Sequence, residues 1–105
     1  MSKVIAIVSF KLPQKQTLEQ ATETFQSTAP KYLKLPGLLR KNYFLTDDGL
    51  RAGGIYLWES RQAAERMYTP EWKSFVRGKY GNDPELVYVD TPLLVDNEQG
   101  RIVNI

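Results

Sequence analysis

The sequence of 105 residues contains 14 Lys and Arg against 12 Asp and Glu, and it has neither Cys nor His. The length suits one domain, and 42% hydrophobic with 25% charged residues is typical of a globular chain. Without Cys there is no disulfide, thiolate metal site or Cys nucleophile; without His there is no Ser-His or Cys-His catalysis and no His-ligated iron. The net charge of +2 predicts no strong attraction to nucleic acid or a membrane.

The first half of the chain predicts a strand, a helix and a second strand. Residues 3–11 are apolar in both registers, which is typical of a central strand in a covered sheet. Thr17 is predicted to cap a helix with Gln20 in the capping-box position, and Pro30 is expected to kink or shorten its last turn. Residues 38–46 carry charge in both registers, which indicates an edge strand. The apolar stripe of the helix consists of Leu18, Ala21, Phe25, Ala29 and Tyr32.

The second half begins with a hairpin turn at Asp47-Asp48-Gly49. Residues 50–59 form the next predicted strand, which again looks central, and Gly53-Gly54 within it predicts a bulge or space for a group to approach the backbone. Two short helices are expected to follow, one capped by Ser60 and one begun by Thr69-Pro70. The second helix has Trp72, Phe75 and Val76 as its apolar face and is expected to end at Gly78 and Gly81.

The chain closes with a predicted strand over residues 84–91 and an apolar tail. The order β-α-β-β-α-β predicts an α+β, ferredoxin-like domain with an antiparallel sheet over residues 1–95. Residues 96–105 form a tail expected to make a strand at a dimer interface. Helices cover only one face of such a sheet, so the apolar second face predicts a homodimer.

Aromatic residues on the predicted strands and second helix suggest a cavity in this small sheet. Considered one by one, they fit a core or a dimer interface better than a pocket; as a set, their polar tips fit a pocket with convergent polar groups. Of the polar residues nearby, Asn42 is the strongest pocket candidate, whereas Arg40 and Lys41 fit a solvated edge, and Glu59 and Asp90 fit a helix start and a turn. The aromatic candidates are Tyr43, Tyr56, Trp58, Trp72, Phe75 and Tyr88.

RNA-recognition modules share this element order and provide an alternative interpretation. They need stacking aromatic residues on the third strand, where this chain has Gly53 and Ile55 at two of three positions. The first strand also lacks a stacking aromatic residue beside Val4 and Ile5. The sequence therefore predicts no nucleic-acid partner.

Several stretches together resemble a known family. They are the run from Gly37 to Phe44, the pair Asp48-Gly49, the run from Ala52 to Ser60, the triplet Ala63-Ala64-Glu65, and Trp72. In these stretches the chain resembles the YdhR-type monooxygenases, which belong to the dimeric α/β-barrel superfamily together with antibiotic-biosynthesis monooxygenases. The resemblance extends from the first strand to about Val95.

This resemblance implies a homodimer whose sheets pack face to face, with a cavity between sheet and helices in each protomer. It also implies oxidation of a phenolic or quinol-type substrate by O₂ without metal or flavin, in a site that excludes water. The missing His argues against the haem-degrading branch, whose pattern includes one, and leaves the base of the reaction unassigned.

The leading hypothesis is a cytoplasmic, cofactor-independent monooxygenase that acts on an aromatic or polycyclic small molecule, with no membrane partner. The aromatic side chains would stack the ring system, and Asn42 or a Tyr hydroxyl would orient a phenolate oxygen. A non-catalytic binding or sensor protein using the same cavity is the alternative, and an isomerase or decarboxylase of the same fold is a third. The predicted substrate-binding residues are Asn42, Tyr43, Tyr56, Trp58, Trp72 and Tyr88.

Overall fold

The computed structural model describes residues 2–105, which form one four-stranded antiparallel sheet, three helices and a separate hairpin. The sheet has the order β2-β3-β1-β4, so the predicted α+β, ferredoxin-like fold is confirmed, with the first and third strands in the centre. The elements in chain order are β1 (Val4–Lys11), α1 (Leu18–Tyr32), β2 (Leu38–Leu45), β3 (Arg51–Trp58), α2 (Arg61–Met67), α3 (Pro70–Tyr80), β4 (Glu85–Asp90), β5 (Leu93–Asp96) and β6 (Arg101–Asn104).

The two central strands supply the core beneath the helices. In β1 every second residue is buried, because successive side chains of a strand point to opposite faces. The antiparallel register places Val4 opposite Trp58 and Val8 opposite Gly54, so β3 contributes its own alternating set to the same face. The buried residues of this face are Val4, Ala6, Val8, Phe10, Ala52, Tyr56 and Trp58.

The edge strand β2 adds Lys41 and Tyr43 to the helix-covered face, because they lie opposite Tyr56 and Gly54 of β3. The register shifts between Leu38 and Arg40, and not at the glycine pair where a bulge was expected. Gly53 and Gly54 pair regularly with both neighbouring strands. The other interpretation of the glycine pair, that it leaves space for a group to approach the backbone, agrees better with this pairing.

The absence of a side chain at Gly54 leaves space for the side chain of Lys41. A Cβ atom at position 54 would lie 2.9 Å from the Cε atom of Lys41 and 3.0 Å from a ring carbon of Tyr56. At Gly53 a Cβ atom would clash with the backbone oxygen of Val8 and would lie 2.8 Å from the Phe44 ring. Gly54 therefore makes room for the Lys41 side chain, whereas Gly53 is required mainly by the close backbone of β1.

The helix starts follow the predicted caps. Gln20 N–H donates to Thr17 Oγ1 at 3.1 Å, and Thr17 N–H donates to the Gln20 side chain at 2.9 Å, which completes the capping box. Ser60 accepts from the Ala63 N–H at 3.1 Å. Thr69 caps α3 in the same way.

The helix interiors differ from the prediction at several positions. Helix α1 continues through Pro30 to Tyr32, and its buried face contains Thr28 in place of Ala29. Thr28 is tolerated in the interior because its hydroxyl bonds to a tyrosine hydroxyl. Leu18, in the first turn, is 69% exposed. Phe75 of α3 is also exposed, and α3 passes through Gly78 before it ends.

The C-terminal segment folds back on itself. Strand β5 pairs with β6 in an antiparallel hairpin, from Leu93 opposite Asn104 to Asp96 opposite Arg101. The boundary predicted at residue 95 falls inside β5, so the tail pairs with the last residues of the predicted domain. A contribution of this hairpin to a dimer interface stays a prediction.

Among residues 2–105, no helix covers the second face of the sheet, and the centre of this face is apolar. The register places Ile7 between Ile55 and Val87, and all three are exposed, with Ile55 at 43%. Ile5 lies next to them, between Leu57 and Val89. These six side chains form one continuous patch, which we call the open face. None of the helices within residues 2–105 is long and apolar enough to cross a lipid bilayer.

Candidate active site

A groove of about 500 Å³ lies beside the C-terminal end of α1 and the α2–α3 region. This volume is within the range of roughly 300–1,000 Å³ that is common for small-molecule sites. Its walls include the indoles of Trp58 and Trp72, with Lys31, Arg66 and Glu71 as charged neighbours. Both indoles are nearly inaccessible, with exposed fractions of 0% for Trp58 and 4% for Trp72, so the groove combines a lining backed by buried aromatic residues with charges of both signs.

Trp58 ends β3 and is fully buried, with an exposed fraction of 0%. Its Nε1–H donates to the Tyr68 hydroxyl at 3.0 Å, which satisfies the polar tip of a buried indole. The Tyr56 ring stacks near Trp58, with ring centroids 6.3 Å apart. One indole thus belongs both to the core and to the groove wall.

Trp72 stands in the first turn of α3, where the Thr69 cap and Pro70 fix the start of the helix. Its Nε1–H donates to the Tyr32 hydroxyl at 3.0 Å. Trp72 also lines a second, much smaller cavity between the helices and the sheet, which we call the inner cavity. It is the residue that the groove and the inner cavity share.

The inner cavity has a volume of about 20 Å³, which is room for about one water molecule. Tyr32, Tyr43 and Tyr56 line it together with Lys41. The Lys41 ammonium nitrogen lies 3.5 Å from the ring centroid of Tyr32, 3.8 Å from that of Tyr43 and 4.5 Å from that of Tyr56. A lysine is thus held among three tyrosine rings.

Burial, followed by the nearby positive charge of Lys31, lowers the pKa of Lys41 from its ordinary 10.5 to about 7. The ring faces attract a cation and act in the opposite direction. Burial is the largest cause that raises the pKa of Tyr43 and Tyr56. At neutral pH these two hydroxyls therefore stay protonated, while Lys41 exchanges its proton readily.

The predicted site residues fall into four places. Trp58 and Trp72 line the groove, and Tyr43, Tyr56 and Trp72 line the inner cavity. Tyr88 is half-buried at one side of this cluster, with the Arg61 guanidinium 4.0 Å from its ring centroid. The structure does not bring Asn42 to the others: it is exposed and lies opposite Ile55 on the open face.

Sequence reasoning missed Lys41, which was expected to lie at a solvated edge. Two signals were present in the sequence. Lys41 has the same strand parity as Tyr43 and Leu45, and a glycine pair occurs in the neighbouring predicted strand. The exposed polar candidates Arg40, Glu59 and Asp90 take no part in the two cavities.

We expect the bond between Thr28 and Tyr43 to be measurable as a coupling. The two hydroxyl oxygens lie 2.8 Å apart. Thr28→Val leaves the Tyr43 hydroxyl without this partner and is expected to lower the free energy of unfolding by about 1 kcal/mol. Adding Tyr43→Phe to that variant removes the unpaired hydroxyl. In urea unfolding, the double variant should therefore lose less free energy of unfolding than the sum of the losses of the two single variants. Strict additivity would contradict this hydrogen bond.

The fold is found in small oxygenases of solved structure. A Streptomyces coelicolor monooxygenase from the gene ActVA-Orf6, solved with the ligand nanaomycin D, is 19% identical with a TM-score of 0.65 over 86% of this chain and 88% of its own. The N63A variant of SnoaB, a cofactor-independent oxygenase from Streptomyces nogalater, is 15% identical with a TM-score of 0.66 over 92% and 100%. At these identities the likeness concerns the fold.

The sequence comparison is more specific. Residues 5–78, more than two thirds of the chain, match the family described as "Putative mono-oxygenase ydhR". This chain therefore belongs to the YdhR monooxygenase family. No curated protein matches it significantly in sequence.

Proposed function

We propose that this protein is a cofactor-independent monooxygenase that oxidises an aromatic or polycyclic phenol or quinol with O₂. The groove of about 500 Å³, whose lining residues include Trp58 and Trp72, is the observation that carries this proposal. Aromatic faces bind aromatic ring systems through offset stacking and edge contacts, and they exclude water from the ring. Family membership supports oxygenation as the reaction.

The charged groups at the groove suit a substrate with a polar edge. Lys31 and Arg66 are the cations and Glu71 is the carboxylate among its lining residues. A phenolate oxygen placed beside either cation would be favoured over the neutral phenol. An electron-rich phenolate is also the form of the substrate that O₂ oxidises most easily.

The two solved oxygenases support the same chemistry. One of them is described as cofactor-independent, and the other holds nanaomycin D. We extend oxygenation of a small molecule to this chain on that basis, and the groove of about 500 Å³ offers a site for one.

The test is oxygen consumption with a panel of quinols and polycyclic phenols. We expect uptake of O₂ and a product that contains one oxygen atom from labelled O₂. Trp72→Ala removes one wall of the groove and is expected to lower kcat/KM by at least about tenfold. Leu50→Ala, at an exposed position, is the matched control and should leave kcat/KM unchanged.

A non-catalytic binding protein is the second candidate, and the packing of the core favours it. Tyr43 and Tyr56 fill the space between sheet and helices except for a cavity of about 20 Å³. Saturable quenching of Trp fluorescence by the same panel without O₂ uptake would establish binding alone. A product without added oxygen would indicate an isomerase or a decarboxylase.

We further propose that two copies associate through their open faces. Exposed apolar patches of this kind are normally covered in solution. Ile55→Lys places a charge in the centre of the patch and is expected to convert a dimer into a monomer in light scattering. Leu18→Lys, on α1 and away from the patch, should leave the mass unchanged. A monomeric wild-type protein would refute the proposal.

A further inference from the structure

Lys41 has no carboxylate partner in the inner cavity. No Asp or Glu lines that cavity, and within residues 2–105 no ion pair involves Lys41. A buried lysine normally has a counter-charge, because an isolated ammonium is costly to remove from water. Here the nearby charge is another cation, Lys31, whose ammonium nitrogen lies 3.6 Å from the ring centroid of Phe75. The arrangement favours a neutral amine with a free lone pair.

The groups that face Lys41 come from four elements. Burial raises the pKa of the tyrosine hydroxyls at positions 43, 56 and 80, the last to about 12. Burial lowers the pKa of Lys31 from its ordinary value, and the residue is exposed. The facing groups are Lys31 and Tyr32 of α1, Tyr43 of β2, Tyr56 of β3 and Tyr80 of α3.

Lys41 lies near a residue of the groove. Lys31 lines the groove and has its ammonium nitrogen 6.0 Å from the ring centroid of Tyr32, and the Lys41 nitrogen lies 3.5 Å from the same centroid. The inner cavity has room for one water molecule, and a base can act through one such water. Trp72 lines both the inner cavity and the groove.

We propose that Lys41 is the residue that accepts the proton of a bound phenol or quinol hydroxyl, through the water-sized inner cavity behind Trp72. The O–H bond of the substrate breaks and its electron pair stays on oxygen, while the Lys41 lone pair forms the new N–H bond. The products of this step are a phenolate and an ammonium ion. The assignment of the substrate as a phenol or quinol rests on the proposed function.

The cavity can accommodate both forms of Lys41. The neutral amine suits a buried site without a counter-charge, and the ammonium formed by proton transfer lies against three tyrosine rings. Cation–π attraction then offsets part of the cost of the buried charge. The phenolate supplies the negative charge that the site lacks.

The first test is an NMR titration of the lysine side chains in the wild-type protein. We expect one amine signal to titrate near neutral pH, well below the ordinary lysine value of 10.5. Its absence from Lys41→Met would assign it, and Lys41→Arg serves the same purpose if the Met variant fails to fold. Titration of every lysine together with the exposed ones would overturn the proposal.

The second test uses 4-nitrophenol, whose ionised form absorbs at longer wavelength than its neutral form. Bound to the wild type, it is expected to show the phenolate spectrum at a pH where the free compound is largely neutral. Lys41→Met should lower the bound ratio of phenolate to phenol by at least about tenfold, the equivalent of one pKa unit. Lys73→Met, at an exposed position, should not change it. Equal ionisation in the wild type and Lys41→Met would refute the proposal.

The two proposals fail separately. A wild-type protein that ionises bound 4-nitrophenol through Lys41 but consumes no O₂ with any quinol would refute the oxygenase and support the proton acceptor. Quinol oxidation whose rate and pH profile are unchanged in Lys41→Met would refute the proton acceptor alone. Lys41→Arg keeps the charge but has no lone pair to accept a proton, so it should retain phenolate binding and lose the pH-dependent step.

Discussion

Replacing Trp58 by alanine is expected to lower the free energy of unfolding by about 3–5 kcal/mol, the range typical of truncating a buried Trp or Phe. The indole is fully buried, packs near Tyr56 and Tyr68, and donates to the Tyr68 hydroxyl. Removing it leaves a cavity that extends the groove into the core, together with a hydroxyl that has lost its donor. Urea unfolding at one fixed protein concentration measures the loss.

Two variants separate the packing of Trp58 from its hydrogen bond. Trp58→Phe keeps most of the ring and removes the N–H group, so we expect it to lose about 1–2 kcal/mol. Leu33→Ala, at a position that is 75% exposed, should stay within about 0.5 kcal/mol of the wild type. A loss below about 1 kcal/mol for Trp58→Ala would show that the indole is not packed as described.

Replacing Lys41 by methionine is expected to stabilise the fold, and the gain should depend on pH. Folding lowers the pKa of Lys41 from 10.5 to about 7, so between these values the unfolded chain holds a proton that the folded chain has released. The stability of the wild type therefore rises with pH across this window. The Met variant has no such group, so its advantage should be largest below pH 7 and shrink by about 1 kcal/mol per pH unit above it.

The measurement is the free energy of unfolding of both proteins at a series of pH values. Lys73→Met provides the control, because an exposed lysine has similar surroundings in the folded and unfolded states. Its difference from the wild type should be flat over the same range. A flat difference for Lys41→Met as well would contradict the burial of the amine.

Patterns that depend on neighbouring residues in sequence predicted much of the fold. Strand order followed from two-faced apolarity in residues 3–11 and 50–59, and the helix starts followed from Thr17, Ser60 and Thr69, because a cap acts within one turn. The exposure of Leu18 and the burial of Thr28 depend instead on which turn of α1 meets the sheet. Local pattern does not contain that information.

The candidate site was harder to predict for a related reason. The aromatic residues were found by type, but the side of the sheet on which each β2 residue lies depends on the register shift between Leu38 and Arg40. This shift places Lys41 and Tyr43 beneath the helices and Asn42 on the open face. A charge at an edge strand is ordinarily solvated, so the position of Lys41 follows only from its pairing with Tyr56 and from the space that Gly54 leaves for its side chain.

The contact between Lys41 and Gly54 has a consequence for how the family diverges. A side chain at position 54 would occupy the space that the Lys41 methylene chain uses, with Cβ 2.9 Å from Cε. Relatives that keep lysine at position 41 should therefore keep glycine at position 54. Relatives with a smaller residue at position 41 should tolerate a side chain at position 54. Covariation of this pair across the family would identify the relatives that have a lysine amine among the tyrosine rings, whatever substrate each of them uses.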